Sequence, residues 1–191
     1  MRIIGGRFRG TALTPVGKGD PSSHLRPTSD RVRESLFNVL LGGRFGDPVT
    51  GARVLDLFAG TGALGLEALS RGAAQATFVE TGGPALRLLR GNIAKTRTEA
   101  ETQVIARDAT RLGPCPAAPC NLVFLDPPYG KGLGSRALAS ALTGGWIAPA
   151  ALVVWEESAP QDAPPDFETI ESRRYGETHI TLLRAVTSPS G

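Results

Sequence analysis

The sequence predicts an α/β fold, a mostly parallel sheet covered by helices on both faces, with an antiparallel hairpin at one edge. Three observations carry this. From Arg53 onward, short apolar runs alternate with helical segments, the pattern of βαβ units with right-handed crossovers. The first run ends in a glycine-rich loop that opens a helix, L-D-L-F-A-G-T-G-A-L-G-L-E-A-L at 55–69. The last two runs have only Gly176-Glu177 between them, too short for a crossover but right for a hairpin.

Arg2-Ile3-Ile4, a Gly5-Gly6 break and a second run near Thr11 to Thr14 predict a small β-hairpin. Residues 15–25 are rich in Pro, Gly and Ser and predict a loop. Thr28 or Ser29 can cap a helix, with Asp30 in its first turn. Val32, Leu36, Val39 and Leu40 form one apolar stripe on it, and Gly42-Gly43 ends it. Strands are predicted at 53–57, 75–80, 102–106, 121–125, 151–156, 167–175 and 178–185, and helices at about 62–71, 84–97 and 134–143. The chain then divides into a basic hairpin and helix at 1–45, the sheet core at 46–187 and a tail at 188–191. The core has its own strands and helices, so it is expected to fold without residues 1–23.

The 191 residues are 41% hydrophobic and 20% charged, which suits one soluble domain with a real core. No run of apolar residues is long enough to span a membrane, and the N-terminus has no apolar signal segment. A cytoplasmic setting is the expectation, with Cys115 and Cys120 as free loop thiols and no metal site. The net charge of +3 is unevenly placed. Residues 1–33 hold Arg2, Arg7, Arg9, Lys18, Arg26, Arg31 and Arg33 against Asp20 and Asp30 alone. Such an arm suggests a polyanion, nucleic acid before others.

Several acids stand where strands end. Asp56 precedes a loop carrying Gly60 and Gly62. Glycines there let a ligand approach the backbone and the free N–H groups of a helix N-terminus. The spacing Gly60, Gly62, Gly65 also fits a dinucleotide fingerprint, but a carboxylate at Asp56 would repel a pyrophosphate and suits an ammonium. Glu80, ending the next strand, can accept from both hydroxyls of a ribose, in a nicotinamide dinucleotide or another adenosine. Asp108, after the third, can accept from an adenine amino group. Asp126 ends the fourth, and Pro127 and Pro128 hold the chain rigid and remove two donors. The Asp126 carboxylate and the Pro127 carbonyl would then accept both hydrogens of an exocyclic amine and leave its lone pair free. Tyr129 offers a flat face for a base.

D-x-F-x-G-x-G at 56–62 followed by D-P-P-Y at 126–129 resembles the signature of S-adenosylmethionine-dependent amino-methyltransferases. R-I-I-G-G-R-F-R-G at the start, R-P-T-S-D-R-V-R-E-S-L-F-N at 26–38, the 55–73 segment and F-L-D-P-P-Y resemble the bacterial 16S rRNA (guanine-N2)-methyltransferase family called RsmD, from Arg2 to about Arg184. The resemblance implies a Rossmann-like class I methyltransferase with a seven-stranded sheet and a reversed last strand. It implies methyl transfer from S-adenosyl-L-methionine to a guanine N2 in 16S rRNA, within an assembled or assembling small ribosomal subunit. By position, Asp56, Phe58, Gly60 and Gly62 would line the methionine end of the cofactor, Glu80 the ribose and Asp108 the adenine. Asp126, Pro127 and Tyr129 would hold the target base, with Asp126 also bordering the cofactor. Thr28, Asp30 and Arg31 would close over the cofactor. Thr81-Gly82-Gly83 after Glu80 departs from the family's usual polar pair. The rivals are a DNA adenine-N6 methylase or a methylase of another RNA, a protein glutamine methylase (which typically has Asn at position 126) and an rRNA-binding assembly factor without activity.

Overall fold

The structure is a computed structural model that describes residues 1–15 and 28–186. Most of the loop expected at 15–25, together with Lys18, Arg26 and the 188–191 tail, lies outside the described residues. The elements are α1 (Asp30–Leu40), β1 (Arg53–Leu57), α2 (Ala63–Ser70), β2 (Gln75–Glu80), α3 (Gly83–Thr96), β3 (Thr102–Ala106), β4 (Cys120–Leu125), α4 (Leu133–Thr143), β5 (Ile147–Glu157), β6 (Phe167–Tyr175) and β7 (Thr178–Ala185). They build one seven-stranded sheet in the order β3-β2-β1-β4-β5-β7-β6. β1 to β5 run parallel, while β7 is antiparallel to both β5 and β6. The chain winds outward from β1 to β3 and then returns to β4 on the other side of β1. That reversal opens a crevice at the carboxyl ends of β1 and β4.

Alternation of side chains gives the sheet two apolar faces, which is why its strands read as nearly continuous hydrophobic runs. Val54, Leu122, Phe124, Leu152, Val154 and Leu182 pack against α1, α2 and α3. Leu55, Leu57, Val123, Leu125, Val153 and Leu183 pack against α4 and Leu112. β5 starts earlier than its apolar run suggested. Its pairing with β4 jumps from Cys120–Ile147 to Leu122–Leu152, around Ala150 at φ 59°.

The N-terminal segment differs from the expected two-stranded ribbon. It reverses direction as a small hairpin but forms no regular strands, its arms joined by the bridge between Arg2 and Ala12 with Ile3 N–H to Thr11 O at 3.0 Å, Gly10 N–H to Ile3 O at 2.9 Å and Leu13 N–H to Met1 O at 3.1 Å. Between these arms the chain turns onto α2 instead. Arg7 and Phe8 donate their backbone N–H groups to the Ser70 carbonyl and hydroxyl at 2.7 and 2.9 Å. At Gly6, φ is 76° and a Cβ would lie 1.8 Å from the Ser70 carbonyl, so only glycine fits this approach.

A buried ion cluster fixes the segment in place. Glu67 on α2 and Arg33 on α1 are both fully buried. The Glu67 carboxylate accepts from Ile4 N–H at 2.8 Å, Gly5 N–H at 2.9 Å and Arg71 Nε at 2.7 Å, with Arg33 Nε 3.6 Å away. Arg33 also donates to the Arg2 carbonyl and to Asp30 Oδ1 at 3.0 Å. The buried line of α1 is therefore Arg33, Leu36, Phe37 and Leu40, with Val32 and Val39 only partly covered. A count of apolar positions turned the helix slightly too far because it had no reason to bury an arginine.

Two expectations change. Arg33 is a buried structural cation rather than part of an arm that meets a polyanion, and Arg2 and Arg7 are paired with Asp30 and Glu101. Residues 1–15 are also built into the core, since Ile3 and Leu13 belong to the same cluster as Val54 and Phe78. Their removal would expose that cluster and strip two donors from a buried carboxylate. Breaking such a buried pair by truncating one partner costs about 3–5 kcal/mol. Glu67→Ala should lose that much in urea unfolding, and deletion of residues 1–14 should lose at least as much. A loss under about 1 kcal/mol would contradict the assignment.

Candidate active site

The site forms where β1, β2, β4 and β5 end. After β1 the chain leaves the sheet sharply, with Phe58 at φ 60°, a left-handed conformation that is rare for a bulky residue and common at functional sites. Gly62 takes φ 80°, and a Cβ there would lie 2.4 Å from Leu89 Cδ1. Gly65 serves packing instead. A Cβ on it would lie 2.3 Å from the Phe78 ring, so its bareness lets α2 sit close on the sheet.

Asp56 is 2% exposed, and its Oδ2 accepts from Gly65 N–H at 3.0 Å. Burial pushes its carboxyl up to about 8, against the Gly65 hydrogen bond and with a smaller contribution from repulsion by Glu80. Glu80 ties the glycine loop to the end of β2. Its Oε2 accepts from Gly60 N–H at 2.8 Å, and its Oε1 accepts from Thr81 and Gly82 N–H at 2.8 Å each. Asp108 is exposed and caps a short turn, its Oδ1 accepting from the N–H and hydroxyl of Thr110 at 2.8 Å each. Those bonds hold its carboxyl below the usual range, with Arg111 and Arg136 adding to the effect.

Asp126 follows β4, its N–H donating to the Leu57 carbonyl at 3.4 Å, so the D-P-P-Y turn begins against the end of β1. It lies one residue past the Leu125–Trp155 pair, which makes Glu156 its neighbour on β5. By alternation Asp56, Asp126 and Glu156 share the face that carries Phe124 and Val154. Burial holds the Asp126 carboxyl well above the usual range, with Glu156, Asp56 and Glu157 raising it further. The Tyr129 hydroxyl donates to Glu156 Oε1 at 3.1 Å and lies 3.5 Å from Thr178 Oγ1. Burial and Glu156 raise its pKa above the ordinary phenol value. Thr28 Oγ1 donates to Glu156 Oε2 at 2.6 Å. Pro127 is buried, and Gly130 N–H donates to both oxygens of Glu157 at 3.3 Å.

The structure thus brings Asp56, Gly60, Gly62, Glu80, Asp126, Pro127, Tyr129 and Thr28 to one end of the sheet. Asp30 turns toward Arg33 and Arg2, and Arg31 is exposed on α1. Glu156, Glu157 and Thr178 were missed from the sequence. W-E-E at 155–157 carries the signal that singled out Asp56, Glu80 and Asp126, acids at the carboxyl end of an apolar run. Among the described residues no group of His, Cys, Asp or Glu is arranged to hold a metal ion, and no helix is long and apolar enough to cross a membrane.

The strand order, the reversed β7 and acids at the ends of β1, β2 and β4 define a class I methyltransferase fold. A solved structure from Escherichia coli described as a candidate methyltransferase superposes with a TM-score of 0.79 at 35% identity, covering 98% of this chain and 99% of that one. The family described as "Conserved hypothetical protein 95" matches residues 1–184. The Ribosomal RNA small subunit methyltransferase D of Escherichia coli K12 is 41% identical over 164 residues, 86% of this chain and 78% of that protein. Its counterpart of the same name from Haemophilus influenzae is 33% identical over 189 residues, 96% of this chain and 93% of that protein. The chain belongs to the ribosomal RNA small subunit methyltransferase D (RsmD) family.

The buried acids set a pH signature for the protein without ligand. An acid whose folded pKa exceeds its unfolded value of about 3.9 stabilises the fold fully only below that value. The contribution is lost as pH rises through the folded pKa, here about 8 for Asp56. Asp56→Asn keeps an acceptor for Gly65 N–H and removes the buried charge. It should stabilise the free protein at pH 9 by more than about 1 kcal/mol, with the gain shrinking toward pH 5. Thermal unfolding across pH checks this, and an equal effect at pH 5 and pH 9 would contradict it.

Proposed function

We propose that this protein transfers a methyl group from S-adenosylmethionine to the exocyclic N2 of a guanine in 16S rRNA, in the cytoplasm, on an assembled or assembling small ribosomal subunit. The observation that carries the reading is the Asp126-Pro127-Pro128-Tyr129 turn beside the Asp56 and glycine-loop end of β1. An amine acceptor and a cofactor cradle then face one another across a single crevice. The names of the relatives favour rRNA over DNA as the carrier of that amine.

The residues present fit the cofactor. Asp56, a buried carboxylate pushed up to about 8, gains from a cationic partner and suits the ammonium of the methionine end, beside Phe58, Gly60 and Gly62. Glu80 would meet the ribose and Asp108 the adenine. When bound, S-adenosylmethionine supplies an electrophilic methyl on a sulfonium. Asp126 and the Pro127 carbonyl accept the two amine hydrogens and turn the nitrogen lone pair toward the methyl, while Tyr129 stacks on the base. Positioning of this kind is the main contribution the protein has to make. The methylated nitrogen then sheds one proton to Asp126 or water. The start of α1 acts as cofactor lid and rRNA contact, with Thr28 on the cofactor side and the exposed Arg31 toward the rRNA, while Asp30 is engaged by Arg33. A paired or stacked guanine must be extruded to reach Asp126.

Asp126→Ala should abolish methylation of small-subunit particles while binding of S-adenosylmethionine survives, because the acid meets the amine rather than the adenosine. Near-normal turnover would overturn the assignment of the turn. Glu80→Ala should weaken S-adenosylmethionine by about 1.5–3 kcal/mol in calorimetry, with no binding of NAD by either form. Tighter binding of NAD would refute the methyltransferase reading. Methylation of adenine in duplex DNA in preference to rRNA would replace the substrate.

A further inference from the structure

Glu156 has no counterpart in the motifs, yet both of its oxygens are taken by hydroxyls of the site. Oε2 accepts from Thr28 at 2.6 Å and Oε1 from Tyr129 at 3.1 Å. The residue is 5% exposed and sits beside Asp126 on the same sheet face. Resting on the reading above, we propose that Glu156 is a positioning residue for methyl transfer, clamping the Tyr129 ring and the segment leading into α1 in one geometry around Asp126.

A stacking platform at a turn must keep its ring plane. The backbone of the turn is already stiff at Pro127 and Pro128, and Gly130 is tied to Glu157. That leaves the torsions of the Tyr129 side chain: a hydrogen bond at the far end of the phenol fixes where the ring points, and the hydroxyl's preference to lie in the ring plane biases the plane as well. A carboxylate is the strongest acceptor a side chain can offer, with hydrogen bonds to it roughly twice as strong as neutral ones. The second oxygen does the same for Thr28, which immediately precedes Ser29, the cap of α1. Two segments 101 positions apart in the chain thus take their geometry from one acid. Burying that acid beside Asp126 is costly, and an apolar residue would serve the fold at least as well.

Glu156 also sets where the proton lies. Burial raises both carboxyls; the two hydroxyls that donate to Glu156 pull it back toward its charged form, whereas Asp126 faces Glu156 and Glu157 from β5, Asp56 from β1 and the neutral Tyr129 phenol from its own turn, with the Thr28 and Thr178 hydroxyls nearby. Negative charge at Glu156 adds to burial in holding a proton on Asp126, and Asp126 must lose it to accept fully from the amine. Removal of the Glu156 charge should let Asp126 ionise at lower pH.

The test is methylation of small-subunit particles by the full chain under single-turnover conditions across pH, for the wild type, Glu156→Gln, Tyr129→Phe and the double variant. Each single variant should lose about 10–100-fold in rate, the scale of a misplaced reactant, with cofactor Kd and particle KM within about threefold of wild type. The double variant should lose no more than about threefold beyond Glu156→Gln alone, since Tyr129→Phe breaks only a bond to the acid that Glu156→Gln has already removed. The acid limb of the rate profile should move to lower pH in Glu156→Gln. Rates within about threefold of wild type and an unmoved acid limb would overturn the proposal. Tyr129→Phe keeps the ring and deletes only the donor, so if Glu156→Gln fails to fold, a wild-type rate in Tyr129→Phe overturns it alone. An inactive wild-type protein would refute the underlying function, an outcome distinct from active wild type with silent variants.

Discussion

The rest of the site depends on the desolvation of three acids that the sheet places on one face. β1, β4 and β5 are neighbours, parallel and in register. Asp56, Asp126 and Glu156 therefore emerge on one side, at the end where helices and turns begin. Burial drives each toward its neutral form, and at Asp126 repulsion from Glu156 and Asp56 adds to this. The surrounding groups answer one acid at a time. Gly65 N–H serves Asp56, while Thr28 and Tyr129 serve Glu156. Among the described residues no hydrogen-bond donor offsets burial at Asp126. Such an arrangement costs stability, as sites built for a cationic or amine-bearing ligand commonly do.

The N-terminal segment extends the same logic away from the crevice. Glu67 and Arg33 lie in the layer of helices over this face, and their pairing seats residues 1–15 on α2. Arg33 also reaches the Thr28 carbonyl at 3.4 Å. One backbone position, Thr28, is thereby held on one side by the structural ion cluster and on the other by Glu156. The start of α1 is fixed at Thr28 through two buried charges, neither of which an arm built only to attract phosphates would need. Arg31, at the start of α1, and Lys131, after the D-P-P-Y-G turn, are exposed basic residues at this end.

Much of this was legible in the sequence. The two-sided central strands read as unbroken apolar runs, the edge strands β3 and β6 do not, yet all seven were found within a few residues, and the two-residue link between β6 and β7 required an antiparallel edge. Asp56, Glu80 and Asp126 were legible because strand-end acids next to glycines or prolines serve no packing purpose. What failed was anything decided by a partner far away in the chain. Arg33 looked like surface charge because Glu67 is 34 positions distant. Glu156 went unnoticed because nothing in the sequence places Thr28 and Tyr129 around it. The N-terminal ribbon was overdrawn because two β-like runs cannot reveal that the turn between them prefers the Ser70 carbonyl.

The central claim is that the crevice presents a guanine amine to a methyl donor. Its most direct test is nucleotide-resolution mass mapping of methylated guanines in small-subunit rRNA from cells with and without this gene. The account predicts one N2-methylguanine present in the first and unmodified guanine at that position in the second, restored by the wild-type protein. Identical methylation in both rRNAs would contradict it.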